Sequence, residues 1–388
     1  MSNNKPKILF IGPTPPPYSG PELSMQQFLE SEILNETFDI KFLKTNFRND
    51  NVKKGKLDVS MLTNFFVFFS KLIKILVTKK IHCVYYPITP TQIGWVGRDV
   101  WSILISKIFG AKVIIHLRGS HFKLNFQRFN GLVKKLVGFS LKKVDCAIVQ
   151  AKYLNVQFSP YIEASKIRVL YQAMDVNHYS NKYNTEVEDG KILVMGHMTK
   201  AKGYTDILKI IPDLCHEFPY IKFYFAGNIR KGERGVFYNQ YSGEKIDYED
   251  PLEAEKSILN SAYKQNYENL GIILGDDKMK HLQSTDIFLT ASYSEGFSRS
   301  LLEAMSIGKP LVYTPVGAHR EVLEDGVHGF SFVPGELENL KTALKKMLKD
   351  SNMRLAIGQT NRDYVVSNFS IQKIAGDFKS IILNTLAL

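Results

Sequence analysis

The sequence has few of the features that identify secreted, membrane-spanning or disulfide-stabilised proteins. Only three of its 388 residues are cysteines, Cys83, Cys146 and Cys215, and they show neither paired nor metal-ligand spacing. We therefore expect all three in apolar cores. The longest apolar run, at 62–77, is interrupted by two lysines and is too short and too charged to span a bilayer. No apolar signal segment precedes the first predicted strand, which favours a cytoplasmic protein.

Metal and nucleotide-cofactor motifs are also absent from the sequence. It contains no zinc or calcium spacing and no Asp-x-Asp pair, so we expect no metal site. A Walker loop and a spaced G-x-G-x-x-G are missing as well, which removes the main support for kinases and nicotinamide dehydrogenases. We expect no bound cofactor.

Positive charge is concentrated in the first half of the chain. The whole chain carries +12, but residues 1–180 contain 25 lysines and arginines against 11 acidic residues, a net charge of +14. Residues 181–388 contain 25 against 27, a net charge of −2. This asymmetry predicts an anionic partner for the amino-terminal domain: membrane phospholipid, a lipid-diphosphate acceptor or nucleic acid.

Short β-branched runs alternate with amphipathic stretches along the chain, a pattern typical of parallel sheets with crossover helices. The length favours two domains. We predict strands at 7–12, 38–45, 82–88, 112–119, 145–150 and 167–172 in the first half, and at 191–198, 221–227, 271–275, 286–292, 310–317 and 329–334 in the second half.

Two polar segments interrupt this pattern. Residues 176–190 lose their apolar periodicity, as expected of a domain linker. The stretch at 228–269 is long for a connection in such a domain, which predicts a lid or an acceptor loop.

The strongest chemical signal is the stretch 294–329, which follows a predicted strand. Gly296 allows a sharp turn there, and either Ser298 or Ser300 can cap the helix that comes next. The amides at about 299–301 would then face the ligand crevice and suit a diphosphate.

Two carboxylates flank this predicted anion site. Glu295 precedes the turn and Glu303 lies about one turn inside the helix, where both could accept hydrogen bonds from sugar hydroxyls. The alternative is that Ser300 and Glu303 form only a capping box, without a functional role.

The rest of the stretch distinguishes these alternatives by resemblance. Two glutamates separated by seven residues precede an alanine-methionine helix, a Gly-x-Pro turn (308–310) and a strand ending in Val316 and Gly317. This combination resembles family 4 glycosyltransferases, which have the GT-B fold, and the resemblance extends with decreasing specificity over most of the chain.

Residues 192–211 resemble the family's strand, Gly-Arg pair and Lys-Gly element, which implies that Lys202 binds phosphate. The alternative is a solvated lysine at a helix start, a position that the helix dipole disfavours. His197 stands where the family usually has arginine, so Lys200 or Arg299 could take over part of the phosphate binding. The donor site that the resemblance implies comprises Gly20, Gly196, His197, Lys202, Gly227, Gly296, Phe297, Ser298, Arg299, Ser300 and Glu303.

The first half is similar to the family in two places. The segment 19–22 occupies the position of a glycine loop, although it also fits an ordinary strand-to-helix turn. After the strand at 112–119, the residue beside the sugar ring could be His116, Arg118 or His121, and the His-Gly form of the family motif favours Arg118. The resemblance implies a catalytic set of these three residues with Glu295 and Lys202.

Apolar and basic residues also alternate in the first half. Residues 122–143 mix Phe and Leu with Lys and Arg at near-helical spacing, and lysines flank the aromatic run at 65–69. Such surfaces bind anionic bilayers, although one face could simply pack on the sheet. Nucleic acid is disfavoured because no binding motif accompanies the charge.

From these patterns and this resemblance we expect an α/β protein with two facing Rossmann-like domains and a cleft between them. The domains would be 1–178, joined by a returning helix at 370–386, and 188–368. The expected activity is that of a retaining, metal-independent hexosyltransferase, which moves a sugar from a UDP- or GDP-sugar to a lipid-linked or glycan acceptor. Its expected place is the cytoplasmic face of the plasma membrane. The alternatives are a sugar-phosphate synthase or epimerase with a soluble acceptor, and a non-catalytic nucleotide-sugar-binding subunit.

Overall fold

The chain folds into two compact α/β units. The structure is a computed structural model that describes residues 5–16, 20–45, 59–159, 161–179, 185–229 and 238–387, with side chains from residue 63 onward in the third of these ranges. The first unit consists of Met1–Ala173 with Ile371–Leu388, and the second consists of Met174–Ser370.

Six parallel strands form the sheet of the first unit, in the spatial order β2-β1-β3-β4-β5-β6. They are β1 (Lys7–Gly12), β2 (Asp39–Lys44), β3 (Cys83–Pro87), β4 (Lys112–Leu117), β5 (Cys146–Val149) and β6 (Ile167–Val169). The strand order reverses beside β1 and β3, and in such sheets ligands bind at the carboxyl ends of the strands near that point.

The connections of the first unit are helical. They are α1 (Gly20–Glu30), α2 (Glu32–Thr37), α3 (Val59–Lys79), α4 (Gln92–Gly94), a π-helical turn (Trp95–Asp99), α5 (Val100–Ile108), α6 (Phe122–Gln127), α7 (Gly131–Leu141) and two 3-10 turns (Lys152–Gln157 and Ala164–Lys166). The basic segment 122–143 therefore contains two helices. Among the described residues, no helix is long and apolar enough to cross a membrane.

The second unit repeats this architecture with a parallel sheet in the order β12-β11-β10-β7-β8-β9. Its strands are β7 (Lys191–Met195), β8 (Lys222–Ala226), β9 (Tyr267–Gly271), β10 (Ile287–Thr290), β11 (Leu311–Tyr313) and β12 (Gly329–Ser331). Its helices are α8 (Tyr204–Glu217), α9 (Pro251–Leu259), α10 (Gly275–Ser284), α11 (Arg299–Ser306), α12 (His319–Val322), α13 (Leu337–Leu348) and α14 (Ser351–Phe369), with 3-10 turns at Lys200–Lys202 and Lys264–Asn266.

The core of the second unit is built by apolar helix faces against the sheet. Ile207, Ile211 and Leu214 of α8 are fully buried, because residues three or four apart project from the same side of a helix. They pack with strand residues such as Phe223 and Leu289 in one continuous cluster. Burying each such side chain contributes roughly 1.5–3 kcal/mol.

The chain then returns to the first unit as α15 (Ile371–Ala387), which packs against α2 and β4. Its Phe378 completes an aromatic cluster, with ring centroids 4.7 Å from Tyr85, 4.8 Å from Phe28 and 5.8 Å from Phe10. All three cysteines are buried and free, which confirms their predicted place in apolar cores.

One strand prediction is wrong. The apolar run 271–275 is not a strand, because β9 lies just before it and α10 begins at Gly275. Gly271 and Gly275 have φ angles of +63° and +54°, which end the extended conformation. The residue that anchors β9 in the core is Tyr267, whose ring packs 5.2 Å from Phe225.

The predicted linker also differs from the structure. The first crossing between the units falls between Ala173 and Met174, and the described part of 176–190 belongs to the second unit. Asp189 is held there by an ion pair with Arg354 at 2.9 Å, and a polar segment with such partners has no need of apolar periodicity. The chain crosses back to the first unit after Ser370. The Met174 N–H donates to Phe369 O at 2.7 Å, so the residues at the two crossings lie side by side.

A tight turn after β7 depends on Gly203. This residue has a φ of +72°, and a Cβ atom on it would lie 2.2 Å from Ala291 O, in the segment that follows β10. Only glycine satisfies both the left-handed backbone and this close approach.

We expect Gly203→Ala to destabilise the protein more than Gly243→Ala. Gly243 is the matched control because its φ is +80° but a Cβ there meets nothing within 4 Å. The backbone penalty common to both variants is about 1–2 kcal/mol, and steric overlap adds about 1–3 kcal/mol at Gly203 only. Urea unfolding of both variants measures the difference, and equal losses would contradict the close packing.

Candidate active site

An ion pair between Lys202 and Glu295 lies at the carboxyl edge of the second sheet. Lys202 ends the 3-10 turn after β7, and Glu295 lies in the loop after β10, the strand beside β7. Lys202 Nζ donates to Glu295 Oε1 at 2.5 Å, and Ser292 Oγ donates to the same oxygen at 2.8 Å. The structure thus brings the two principal predicted catalytic residues into contact.

The Glu295 carboxylate is charged at neutral pH. Burial alone would raise its pKa. The lowering effect is larger, and it comes from the positive charge of Lys202, the nearby His319 and the hydrogen bonds from Lys202 and Ser292. The pKa of Glu295 therefore lies below its ordinary value. The site therefore contains a cation and an anion that a ligand can engage separately.

A small, open pocket lies beside this pair, at the carboxyl end of β7. Gly196, His197 and Lys202 line it together with Thr290. The predicted Gly227 lies next to this pocket, since Gly196 N–H donates to the carbonyl of the preceding Ala226 at 2.9 Å. Four predicted donor-binding residues thus meet at two neighbouring strand ends.

The start of α11 borders the same strand end. Ser298 is the N-cap, and its Oγ accepts from Leu301 N–H at 3.4 Å. Ser300 Oγ donates to Met195 O, the last residue of β7, at 3.2 Å. The alternative of a capping box between Ser300 and Glu303 is therefore excluded, because Ser300 lies inside the helix and Ser298 is the cap. Of the amides at 299–301, that of Leu301 is already used by the cap.

Glu303 is the centre of a second charged cluster. Its Oε1 accepts from Tyr179 Oη at 2.7 Å, from Lys278 Nζ at 3.0 Å and from Arg299 Nε at 3.3 Å. Burial alone would raise the pKa of Glu303. The effect of Lys278, Arg299 and the Tyr179 hydroxyl is larger and opposite, so the pKa lies below its ordinary value. Burial and the adjacent carboxylate raise the pKa of Tyr179, which keeps its hydroxyl a donor.

Lys200 and Arg299 were the two residues predicted to take over part of the phosphate binding from His197, and they have different partners in the structure. Lys200 Nζ forms ion pairs with two carboxylates, Asp206 at 2.5 Å and Glu249 at 3.0 Å, which neutralise its charge. Arg299 lies in the first turn of α11, with a longer contact to its acidic partner. His197 itself is exposed.

The remaining predicted residues of this loop have structural contacts. The Gly296 carbonyl accepts from Ala318 N–H at 2.9 Å. The Phe297 ring is buried, packing edge-on against Phe369 at 5.2 Å and lying 6.4 Å from the ring of His319. The Phe297 side chain thus holds the loop in place.

In the first unit, the structure joins two of the three strand-end candidates through Tyr85. Arg118 donates to Tyr85 Oη at 3.3 Å, and Tyr85 Oη lies 2.9 Å from His116 Nδ1. Arginine can only donate, so Tyr85 Oη accepts from Arg118, and the direction of its bond with His116 Nδ1 depends on which ring nitrogen of His116 carries the proton. His116 is 1% exposed, whereas Arg118 is partly exposed. The accessible member of this set is Arg118.

His121 and Gly20 occupy helix starts. His121 is the N-cap residue of α6 and is partly exposed. Gly20 is the first residue of α1, and a Cβ there would meet nothing within 4 Å, so packing does not require glycine. Ser19, the residue before it in the predicted glycine loop, lies outside the described residues.

Tyr179, Lys278, Gln240 and Tyr85 were not identified from the sequence. Tyr179 lies in the predicted linker and Lys278 follows the misplaced strand, so their surroundings suggested no role. Gln240 donates its N–H to Tyr293 O at 2.9 Å, and its Oε1 accepts from Glu295 N–H at 3.0 Å. Because these contacts join residues that are far apart in the sequence, no local sequence pattern predicts them.

We expect His116→Gln to reduce the loss of stability at acidic pH. Burial, with Arg118 nearby, holds the pKa of His116 well below its ordinary value. Below about pH 6.5 the unfolded chain therefore binds a proton that the folded protein does not, and stability falls as the pH falls. The variant should lose up to about 1.4 kcal/mol less per pH unit. Urea unfolding between pH 7.5 and 5 measures this, and parallel curves for the two proteins would contradict it.

Comparison with known proteins identifies a family that matches the second unit. Residues 175–364 match the family described as glycosyl transferases group 1, and they include both charged clusters. An uncharacterised glycosyltransferase of Methanocaldococcus jannaschii is 22% identical over 96% of this chain and 97% of its own length. The UDP-Gal:α-D-GlcNAc-diphosphoundecaprenol α-1,3-galactosyltransferase of Escherichia coli is 21% identical over 93% of this chain and 92% of its own.

Solved structures share the fold over nearly the whole chain. Anabaena HepE in complex with UDP superposes with a TM-score of 0.71 and 16% identity, covering 97% of this chain and 100% of that one. The sucrose-phosphate synthase of Thermosynechococcus elongatus gives a TM-score of 0.74 and 12% identity, covering 99% and 100%. The family match and the relatives support the predicted hexosyltransferase class. Residues 175–364 thus match the glycosyl transferases group 1 family, and the chain is a glycosyltransferase with the GT-B fold.

Proposed function

We propose that this protein is a retaining, metal-independent glycosyltransferase that moves a hexose from a UDP-sugar to a lipid-linked or polysaccharide acceptor at the cytoplasmic membrane face. The observation that carries the proposal is the Lys202–Glu295 pair, which lies beside a pocket at the strand ends. A sugar nucleotide needs a cation for its diphosphate and a carboxylate for its sugar hydroxyls, and this pair offers both.

Lys202 would stabilise the departing diphosphate. When the bond between the sugar and the diphosphate breaks, negative charge develops on the phosphate oxygens, and a fixed cation lowers the energy of that state. Lys202 would exchange its contact with Glu295 for a phosphate oxygen, with the start of α11 and Arg299 adding positive potential. These groups would perform the charge neutralisation that a divalent ion performs in other transferases.

The two carboxylates would hold different parts of the donor. Glu295, released from Lys202, would accept hydrogen bonds from the transferred sugar. Glu303 would accept from the ribose hydroxyls, and its cluster with Tyr179 and Lys278 fixes its orientation before the donor arrives. Arg118, held by Tyr85 at a strand end of the first unit, would contact the acceptor.

UDP is the nucleotide that the comparisons favour. HepE was solved with UDP, and the galactosyltransferase of E. coli uses UDP-galactose by name. That relative also acts on a diphosphoundecaprenol-linked sugar, which supports a lipid-linked acceptor here. Retention of configuration follows the resemblance to family 4 and is part of the proposal.

A basic and apolar surface on the first unit supports membrane association. Helix α3 packs beside α5, and α5 packs beside α7. Exposed apolar side chains project from all three helices, with lysines interleaved on α3 and α7. This surface, named the docking face, comprises Phe66, Val67, Ile73, Val77, Trp101, Ile108, Phe109, Leu132 and Phe139 with Lys71, Lys74, Lys79, Lys135, Lys142 and Lys143. Apolar insertion and attraction to anionic lipid would act together there.

The alternative is a soluble acceptor. The fold is shared with a sucrose-phosphate synthase, so the fold is compatible with soluble substrates. The docking face favours a membrane-bound acceptor. Phe66 and Leu132 are 75% and 82% exposed among lysines, and clusters of exposed apolar side chains typically mark an interaction surface.

We expect Lys202→Ala to lower turnover of a UDP-sugar by about 10²–10³-fold, the usual loss on removing one group that stabilises transition-state charge. The matched control is Lys209→Ala, because Lys209 is a more exposed lysine on α8 that pairs with Glu249. Transfer to membrane extract and slow donor hydrolysis are the readouts. Equal activity of the two variants would contradict the role of Lys202.

Ligand and chelator tests complete this experiment. UDP should raise the melting temperature more than GDP or ADP does, with or without magnesium. Turnover should persist in EDTA. Loss of activity in EDTA that Mg²⁺ or Mn²⁺ restores would contradict metal independence, and wild-type protein inactive with every nucleotide sugar tested would favour a non-catalytic binding subunit.

We expect the double variant Phe66→Asp, Leu132→Asp to lose binding to anionic vesicles by about 100-fold, since it removes two apolar side chains whose insertion into the bilayer would contribute about 1.5 kcal/mol each. Leu355→Asp is the control, because Leu355 is 70% exposed on α14 of the second unit. Trp101 provides an optical signal, since the other tryptophan, Trp95, is fully buried. Wild-type protein that neither sediments with anionic vesicles nor shifts its tryptophan emission would favour the soluble acceptor.

A further inference from the structure

The connection between β8 and α9 is unusually long, and its last part is an ordered turn. It spans residues 227–250, whereas connections in α/β units commonly have 2–6 residues. Residues 238–250, named here the Gln240 turn, are held together internally. Tyr238 pairs with Lys245 in an antiparallel bridge, and Asn239 N–H donates to Glu244 O at 2.8 Å.

The Gln240 turn is hydrogen-bonded to the loop that carries Glu295. Gln240 N–H donates to Tyr293 O at 2.9 Å, and Gln240 Oε1 accepts from Glu295 N–H at 3.0 Å. Gln240 therefore binds the backbone of the Glu295 loop twice, once through its own backbone N–H and once through its side-chain oxygen. These bonds fix the backbone two residues before Glu295 and at Glu295 itself.

The same turn also contacts the loop that carries Lys202. Ile246 is buried in a small cluster with Ala201 and Tyr293. Glu249 accepts from Lys200 Nζ at 3.0 Å, in the 3-10 turn that ends at Lys202. Tyr293 N–H in turn donates to Ala201 O at 3.0 Å. The Gln240 turn thus packs on both catalytic loops at once.

This arrangement addresses a requirement of the chemistry. Lys202 and Glu295 come from separate loops, and each must act on a different part of the donor. A displacement of about 1 Å in a catalytic group can cost 10²-fold in rate. Neither loop is part of a regular strand at this point, so the separation of the two residues depends on what braces the loops.

We propose that Gln240 is a positioning residue, which sets the place of Glu295 relative to Lys202 through its bond to the Glu295 amide. This inference rests on the proposed function, because it assigns Glu295 to the transferred sugar and Lys202 to the diphosphate. Loss of the Gln240 oxygen would let the Glu295 loop shift, while the nucleotide part of the donor keeps its contacts at Lys202 and Glu303. The step from bound donor to product would suffer, and binding of UDP alone would not.

Gln240→Met tests this, because methionine keeps the length and shape of the side chain but lacks the acceptor oxygen. We expect its kcat with a UDP-sugar to fall by 10-fold or more, with the dissociation constant of UDP within threefold of wild type. The matched control is Tyr241→Ala, which removes a side chain that is 51% exposed on the same turn and should behave as wild type. Gln240→Glu restores an acceptor oxygen and should recover part of the kcat lost in Gln240→Met.

Two results would overturn the proposal: a kcat for Gln240→Met within twofold of wild type, or a loss of UDP affinity in parallel with the loss of kcat, which indicates general damage to the fold. Amide hydrogen exchange at Glu295 tests the bond without any donor, and it should accelerate in Gln240→Met but not in Tyr241→Ala. If wild type turns over no nucleotide sugar, the proposed function fails. Unchanged exchange at Glu295 would then refute the positioning role separately.

Discussion

The contact between the Lys202 ammonium and the Glu295 carboxylate is the interaction on which the second unit's site depends. Each partner is partly removed from water, and a buried charge without a counter-charge is costly. In the ligand-free protein each residue therefore neutralises the other. In the proposed function, a sugar nucleotide would bring hydroxyls and phosphates that replace both contacts, so the ion pair would keep the site charged and stable until the donor is bound.

The sheet topology explains why two loops so distant in sequence meet. Lys202 follows β7 and Glu295 follows β10, and the two residues are 93 positions apart in the sequence. The two strands are neighbours because the strand order places β7, the first strand of the unit, in the middle of the sheet. Both catalytic loops leave the same edge of the sheet. Gly203 allows the first loop to pass against the second, and the Gln240 turn packs on both.

Much of this could be predicted from the sequence. The β-branched runs placed eleven of the twelve strands within a few residues, because buried parallel strands are continuously apolar. The exception, at 271–275, shows the limit of that rule: an apolar run flanked by glycines with positive φ became an exposed loop, with Ile272 at 61% exposure. The spacing of Glu295 and Glu303 also predicted the region in which the structure places the two charged clusters, since both residues lie within one local motif.

The partners of those residues could not be predicted, because they are set by tertiary contacts. Tyr179 meets Glu303 across 124 residues and Gln240 meets Glu295 across 55. Ser298 and Ser300 were equally good caps by composition, and only the backbone geometry distinguishes them. Local patterns specify the elements, whereas the side chains that orient a catalytic group come from wherever the fold places them.

The path of the chain has a consequence for the order in which the units form during synthesis. The second unit is one continuous segment, Met174–Ser370, inserted between the two parts of the first. The aromatic cluster around Tyr85 needs Phe378, which is made after the whole second unit. The ribosome therefore synthesises the whole second unit before the closing helix of the first unit, and the first unit is the last to acquire its complete core.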